Sequence, residues 1–229
     1  GGIVRDLLLN KTNEDIDIVI EGDGIGFARK LAVRIGAGII SHDKFGTAKC
    51  KLPSGLKIDI STARREYYDY PAALPTVERS SLREDLLRRD FTINAMAVQL
   101  NKTKYGCLID FFHGHEDIQQ GTIRVLYNLS FVEDPTRILR AIRFEQRFGF
   151  GMDTQTYELA SNSADLITSV SSYRIASELK PLFEETDPVK SITRLNNIGV
   201  LDILLGRNRF SKDKMHQVEK LKGIIAKTD

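Results

Sequence analysis

Tryptophan is absent from this chain of 229 residues, and cysteine occurs only twice, at Cys50 and Cys107. Two isolated cysteines cannot build a disulfide framework, which excludes the disulfide-stapled secreted scaffolds. Each lies in an apolar or strand-like stretch, so both are expected to be reduced core thiols in a cytoplasmic protein. Long apolar runs are missing too. None approaches the roughly 18–20 residues a membrane helix needs, and no basic segment precedes a short apolar one as in a secretory leader, so no membrane partner is expected. Charge of one sign is also lacking: 33 Lys and Arg face 31 Asp and Glu, for a net +2. Nucleic-acid binding therefore cannot be argued from global charge, and any electrostatic footprint has to be local. There is no internal repeat and no low-complexity tract. With 41% hydrophobic residues, the chain has material for the core of one or two soluble domains.

What is present begins at the front. Gly1-Gly2-Ile3-Val4-Arg5-Asp6 reads as a tight turn into a helix, where paired glycines allow close backbone approach to a phosphate and an arginine can contact it. A strand is expected to precede it, so the chain reads as a fragment of a longer protein. Next comes Asp15-Ile16-Asp17-Ile18-Val19-Ile20. Side chains alternate across a strand, so Asp15 and Asp17 share one face while Ile16, Ile18 and Ile20 share the other. Two carboxylates so close repel without a cation, and Mg²⁺ takes such oxygen ligands together with substrate phosphates. Taken alone, the same pattern also suits a solvated edge strand.

Helical spacing of Phe27, Leu31 and Ile35 predicts a helix over 24–35, and strands are expected over 47–52 and 56–61, joined by Pro53-Ser54-Gly55. The segment 66–81 is rich in Tyr, Pro and charge without a period, and reads as a long surface loop over the active site. A further strand is expected near 108–111. Helical periodicity dominates from Ser130, with helices near 131–147, 153–165, 172–184 and 188–198, and a basic helical stretch over 212–227. The expected class is α+β, with an all-helical second part. Gly22-Asp23-Gly24-Ile25-Gly26-Phe27 imitates a dinucleotide-binding turn, but its third glycine is misplaced and it is set aside.

Three more blocks carry chemistry. In Arg88-Arg89-Asp90-Phe91-Thr92-Ile93-Asn94, Asp90 could simply cap a helix, but the arginine pair suits a triphosphate. Arg89 would meet phosphate oxygens, and Asp90 or Asn94 the sugar hydroxyls. In Glu133-Asp134-Pro135-Thr136-Arg137-Ile138-Leu139-Arg140-Ala141-Ile142-Arg143, the arginines recur every three residues on one helix face, with Asp134 one turn above. That stripe needs an anion, whether acidic neighbours or ligand phosphates, unless it is a solvated basic face. Asp59, in Lys57-Ile58-Asp59-Ile60, alternates against apolar neighbours and is either a third metal-holding carboxylate or a surface aspartate. His113 and His115, in Asp110-Phe111-Phe112-His113-Gly114-His115-Glu116-Asp117, read as a surface turn rather than a metal pair.

These blocks, in this order and spacing, with Ala95-Met96-Ala97 and the later Ser172-Tyr173-Arg174-Ile175-Ala176-Ser177-Glu178-Leu179, resemble the class II tRNA nucleotidyltransferase (CCA-adding) and bacterial poly(A) polymerase family over roughly residues 1–200. Tyr173 stands where Glu is commoner, and His113 and His115 depart from the family segment. The resemblance implies a polymerase-beta-type nucleotidyltransferase head over 1–125, a helical neck over 126–190, and the start of a tRNA-gripping body over 191–229, the rest of body and tail lying outside the chain. It implies template-independent transfer of AMP, CMP or both from ATP and CTP to the tRNA 3′ end. The alternatives are a poly(A) polymerase and a non-catalytic RNA- or nucleotide-binding module. Under that reading Asp15 and Asp17, with Asp59 as a candidate third carboxylate, hold two Mg²⁺, one at the tRNA 3′-hydroxyl and one at the triphosphate, while Gly2, Arg5 and Arg89 position the triphosphate. Asp134 and Arg137 complement the amino edge shared by cytosine and adenine, and Arg140 and Arg143 support them or reach phosphate.

Overall fold

The computed structural model describes residues 1–206, so the basic stretch over 212–227 lies outside the described residues. The chain divides into two compact units, one of residues 1–68 and 74–120, the other of residues 69–73 and 121 onward. Helix and strand mix in the first, as the α+β reading requires; the second is helical but not all-helical, since residues 122–123 and 151–152 pair as two short parallel strands. No helix among the described residues is long and apolar enough to cross a membrane.

The first unit opens with α1 (Gly2–Leu8), β1 (Ile16–Ile20) and α2 (Gly24–Ile35), followed by β2 (Gly38–His42), β3 (Thr47–Lys51) and β4 (Lys57–Thr62). The four strands form one sheet in the order β1-β4-β3-β2, with β1 and β4 parallel and the other pairs antiparallel. Helix α2 covers one face. Its Ala28 and Ala32 pack on Ala48, Cys50 and Ile60, with Ile18, Ile20 and Ile58 around them. Alanines on that stripe let the helix sit close to the strands. The glycine-rich turn before α2 is structural: Asp23 Oδ1 accepts from Gly26 N at 2.9 Å, and a Cβ on Gly24 would stand 2.8 Å from Thr62 N. A carboxylate already caps that helix, so the turn offers nothing to a phosphate. By strand alternation the other sheet face, away from α2, carries Asp17, Asp59, Lys49, Lys51 and Lys57.

Beyond the sheet come β5 (Arg64–Tyr67), β6 (Thr76–Arg79), α3 (Leu82–Leu87), β7 (Met96–Val98), β8 (Leu108–Asp110) and α4 (Gly114–Gln120). The periodless segment 66–81 is loop over 68–75 and 80–81, but its ends 66–67 and 76–79 belong to an antiparallel ribbon of β5 and β6 that was not expected. Its alternation is one of charge: Arg65 and Glu78 are register partners and bond at 2.8 and 3.1 Å. A hydrophobic period cannot reveal such a pair. Cys50 is buried as expected, but Cys107 is exposed, because it lies in the turn ahead of β8 rather than in a strand.

The second unit holds β9 (Thr122–Ile123), α5 (Ser130–Glu133), α6 (Thr136–Phe148), β10 (Gly151–Met152), α7 (Thr154–Asn162), α8 (Ser172–Phe183), α9 (Pro188–Ile198) and α10 (Val200–Leu205). The helix expected over 131–147 is broken at Asp134-Pro135. The residue before a proline is pushed out of the helical region, and Asp134 is extended at φ −136°, ψ 92°. Helix α6 is central, burying Ile138, Leu139, Ala141, Ile142 and Phe144 and packing on α8 and α9. Buried Glu145 ties α6 to α9 through a two-pronged bond with Arg194 at 2.7 and 2.8 Å.

Candidate active site

On the open sheet face of the first unit, Asp17 and Asp59 are register partners on the adjacent parallel strands β1 and β4. Asp15 stands exposed just ahead of β1, its N–H donating to Asn13 Oδ1 at 2.8 Å. Asn13 in turn donates to Asp6 of α1, so the strand entry is tied to the first helix. Burial holds the Asp17 carboxyl above the usual carboxylate range. Asp59 and Asp15 push the same way, and Arg89 pulls against them. Lys49 of β3 reaches Asp59 at 3.2 Å. Among the described residues no three acidic, cysteine or histidine side chains close into a metal cage.

Gly1 explains how Arg89 reaches this place. A Cβ there would stand 2.7 Å from Arg89 Nη1 and 3.7 Å from Asp17 Oδ2, so a residue without a side chain lets backbone, guanidinium and carboxylate meet. Arg89 is aimed by fully buried Asp85, whose Oδ2 accepts from its Nη2 at 3.2 Å. Asp85 Oδ1 takes Arg88 Nη2 at 2.8 Å, and Arg88 Nη1 reaches Glu66 of β5 at 3.0 Å. Arg88 therefore joins α3 to the ribbon, and Arg89 is the member of the pair beside the carboxylates.

Arg5, Asp90 and Asn94 were expected on the nucleotide. All three are buried, and their polar ends meet one another: Arg5 Nη1 donates to Asn94 Oδ1 at 2.5 Å, and Asn94 Nδ2 to Asp90 Oδ1 at 2.9 Å. Arg5 also pairs with Asp6 at 2.7 Å. As placed, the trio braces α1 against the Thr92–Asn94 turn. Gly2 keeps ordinary contact distances to Arg5 and Asn13, so its lack of a side chain is not required there. His113 and His115 are both exposed, His113 in the turn ahead of α4 as the surface-turn reading has it and His115 already in the first turn of α4, whose start Asp110 caps by accepting from Gly114 N at 3.0 Å and His115 N at 2.9 Å.

In the second unit, Asp134 Oδ1 accepts from Thr136 Oγ1 at 2.6 Å and from Arg174 Nη2 of α8 at 2.9 Å. Arg137 is buried, its Nη1 donating to Ser130 Oγ at 2.8 Å and to Tyr127 OH at 3.2 Å. Tyr127 donates to Glu133, and burial pushes its hydroxyl up to about 12. Arg140 and Arg143 both face Glu178 of α8, at 3.5 and 3.6 Å, and both lie beside the Phe144 ring. Burial and the neighbouring arginines lower Arg143's affinity for its proton, against Glu178. The anion that the arginine stripe requires is thus supplied in part by Glu178.

Comparison with known proteins decides the class. The family described as "Poly A polymerase head domain" matches residues 1–124, and "Probable RNA and SrmB- binding site of polymerase A" matches 149–206. The chain belongs to the poly(A) polymerase head-domain family. It is 48% identical over 227 residues to the A-adding tRNA nucleotidyltransferase of Geobacter sulfurreducens, covering 98% of this chain and 26% of that protein. It is 43% identical over 220 residues to the A-adding tRNA nucleotidyltransferase of Halalkalibacterium halodurans, covering 94% of this chain and 52% of that one. The solved complex of the Thermotoga maritima CCA-adding enzyme with tRNA superposes with a TM-score of 0.87 at 42% identity, covering 99% of this chain and 51% of the other. The chain therefore spans between about a quarter and a half of these relatives.

Within this family member, two functional candidates escaped the motif-by-motif reading. Arg174 fixes the Asp134 carboxylate, and Glu178 faces the arginine stripe. Both sit in Ser172–Leu179, where Tyr173 drew attention although its side chain is exposed. The signal was available in charge spacing: Arg174 and Glu178 lie one helical turn apart on the face that α8 turns to α6.

Proposed function

We propose that this chain is the catalytic and base-reading part of a template-independent nucleotidyltransferase that adds AMP, CMP or both, from ATP and CTP, to the 3′ end of tRNA in the cytoplasm. The observation that carries it is the in-register Asp17 and Asp59 beside Arg89 and Gly1, inside a poly(A) polymerase head. The A-adding names of two relatives favour AMP as the nucleotide.

The donor set suits Mg²⁺. It is all oxygen, and an Asp17 carboxyl raised by burial and by its acidic neighbours is the group a hard cation would keep ionised. Asp15 and Asp17, with Asp59 as a third carboxylate beside them, would supply protein ligands to two such ions, substrate oxygens completing each set. When bound, the ions would supply charge neutralisation at the triphosphate and a lower pKa for the RNA 3′-hydroxyl. Arg89, aimed by Asp85, orients the triphosphate alongside the Gly1-Gly2 backbone, and positioning is most of what such transfer asks of a protein. Arg5, Asp90 and Asn94 keep that backbone in place.

Base choice belongs to Asp134 and Arg137. With Oδ1 engaged by Thr136 and Arg174, Asp134 has Oδ2 to accept from the amino group that cytosine and adenine share. Arg137, planed by Ser130 and Tyr127, donates to the ring nitrogen. Uracil and guanine place a carbonyl opposite the carboxylate and are rejected. Residues 1–125 act as head, 126–190 as neck and 191–229 as the start of the body.

The test is incorporation of labelled ATP and CTP into tRNA ending at the discriminator base, into tRNA ending in its second terminal cytidine, and into oligo(A). AMP addition to the second substrate is expected. Preference for oligo(A) would make the protein a poly(A) polymerase, and no incorporation would leave only a binding module.

A further inference from the structure

The open sheet face bears a second charged group beside the carboxylates. Lys51 of β3 and Lys57 of β4 are direct register partners, and Lys49 lies two residues along β3 on the same face. All three are exposed, and neither Lys51 nor Lys57 makes an ion pair among the described residues. Like charges placed directly opposite on neighbouring strands destabilise the pairing. Lysines often guard sheet edges against unwanted pairing, but β3 and β4 are interior strands here, so that explanation does not apply. Nor does core packing hold them, since α2 covers the other face.

We propose that Lys49, Lys51 and Lys57 form a track that holds the sugar-phosphate backbone of the RNA acceptor strand next to the carboxylates. The row Asp17, Asp59, Lys49 runs across three neighbouring strands, so the cationic track begins one strand from the acidic pair. Lys49 joins the two, bridging to Asp59 at 3.2 Å. Lys49 and Lys51 lie about 7 Å apart along the strand, a spacing at which ammonium groups can meet successive phosphates of an extended chain. A polyanion lying there would relieve the Lys51–Lys57 repulsion and bring a terminal hydroxyl toward Asp17 and Asp59. The proposal rests on the nucleotidyltransferase reading for the identity of the RNA, and on the sheet register for the place.

The experiment compares the full-length protein with its Lys51→Gln/Lys57→Gln double variant. Lys49 is left intact because it touches Asp59. Fluorescence anisotropy of a labelled tRNA lacking its terminal adenosine, in EDTA and over a KCl series, reads binding without transfer. Affinity is expected to fall about tenfold at 0.1 M salt, and the slope of log K against log salt to shrink by about 1.4, two single-strand phosphate contacts. Affinity for a non-hydrolysable ATP analogue is expected to stay unchanged. Equal RNA affinity and slope in the two proteins overturns the track, as does a loss confined to the ATP analogue, or a wild type that does not bind the tRNA. AMP incorporation by the wild type is scored in parallel. Transfer with an unchanged slope sinks the track alone, whereas a changed slope without transfer sinks the functional reading alone.

Discussion

In the first unit, Asp17 and Asp59 stand on an open sheet face where the acidic pair meets Lys49 and Arg89. In the second, Arg140 and Arg143 already face Glu178, and Asp134 is already met by Arg174. The first unit leaves charge for an incoming group to neutralise, while the second meets part of its charge internally and so holds the geometry of those groups. That contrast fits chemistry on one side and recognition on the other. A reacting centre gains from electrostatics realised only in the reaction, whereas a base-reading site needs groups pre-set at a fixed angle.

The largest expected effect breaks the exposed side of the contrast. Asp15→Ala and Asp17→Ala should each lower nucleotide transfer at least ~10³-fold, the several kcal/mol that metal-assisted stabilisation supplies. The fold should persist, since neither side chain faces the α2 core. Single-turnover incorporation with thermal melting checks both. A variant keeping a tenth of wild-type turnover removes its residue from the metal site.

Next is Asp85→Ala, which tests whether the first unit also needs an internal charge. Asp85 is fully buried and accepts from Arg88, Arg89 and the Arg64 amide. Its loss takes from Arg89 its buried carboxylate partner and leaves Arg88 with Glu66, and a loss of about 3 kcal/mol in stability is expected from urea unfolding. A change below about 1 kcal/mol would mean that Arg88 and Arg89 find other anions.

Asp134→Ala sharpens the recognition side. UTP or GTP should then compete, with about 1–3 kcal/mol of discrimination lost. Arg174→Ala should do the same more weakly, because it frees the carboxylate to turn without removing it. Arg89→Ala should slow all four nucleotides alike. Competition assays with paired nucleotides decide it, and relaxed base choice in Arg89→Ala with none in Asp134→Ala would reverse the roles.

Much of this architecture could be read from residue order, and the failures share a cause. The bounds of α2 follow from its period, yet the buried stripe runs through Ala28 and Ala32 while Phe27 is 39% exposed. Large residues mark a helix, but small ones chose the contact face. The β5–β6 ribbon was hidden because its cross-strand partners are Arg65 and Glu78 rather than apolar residues. That Arg5 and Asn94 bond one another was not legible, because a motif records proximity in sequence, not which polar atoms meet in space. The Lys51–Lys57 pair could not be foreseen either. It exists only once the β3–β4 register is known, and a one-residue slip would send the two to the other face.

The smallest expected effect concerns Asp17 and pH. Its carboxyl binds a proton more tightly in the folded chain than the ordinary value of 3.8, chiefly through burial. A raised carboxyl lowers folding stability as pH rises from 3.8 through the folded value, and the cost is complete above it. Asp17→Asn should therefore be slightly more stable than wild type at pH 7.5, by less than about 0.5 kcal/mol because the group is half open to solvent. The two proteins should converge near pH 2.5, about a unit below the ordinary value, where the wild-type carboxyl is protonated in both states. Mg²⁺ competes with the proton, so it should stabilise wild type at pH 7.5, lose that effect as pH falls through the raised value, and leave Asp17→Asn little changed. Urea titrations at both pH values, with and without Mg²⁺, measure each difference. Equal Mg²⁺ stabilisation of the two proteins at pH 7.5 would place the cation elsewhere and remove the contrast between an open acidic centre and a closed recognition site.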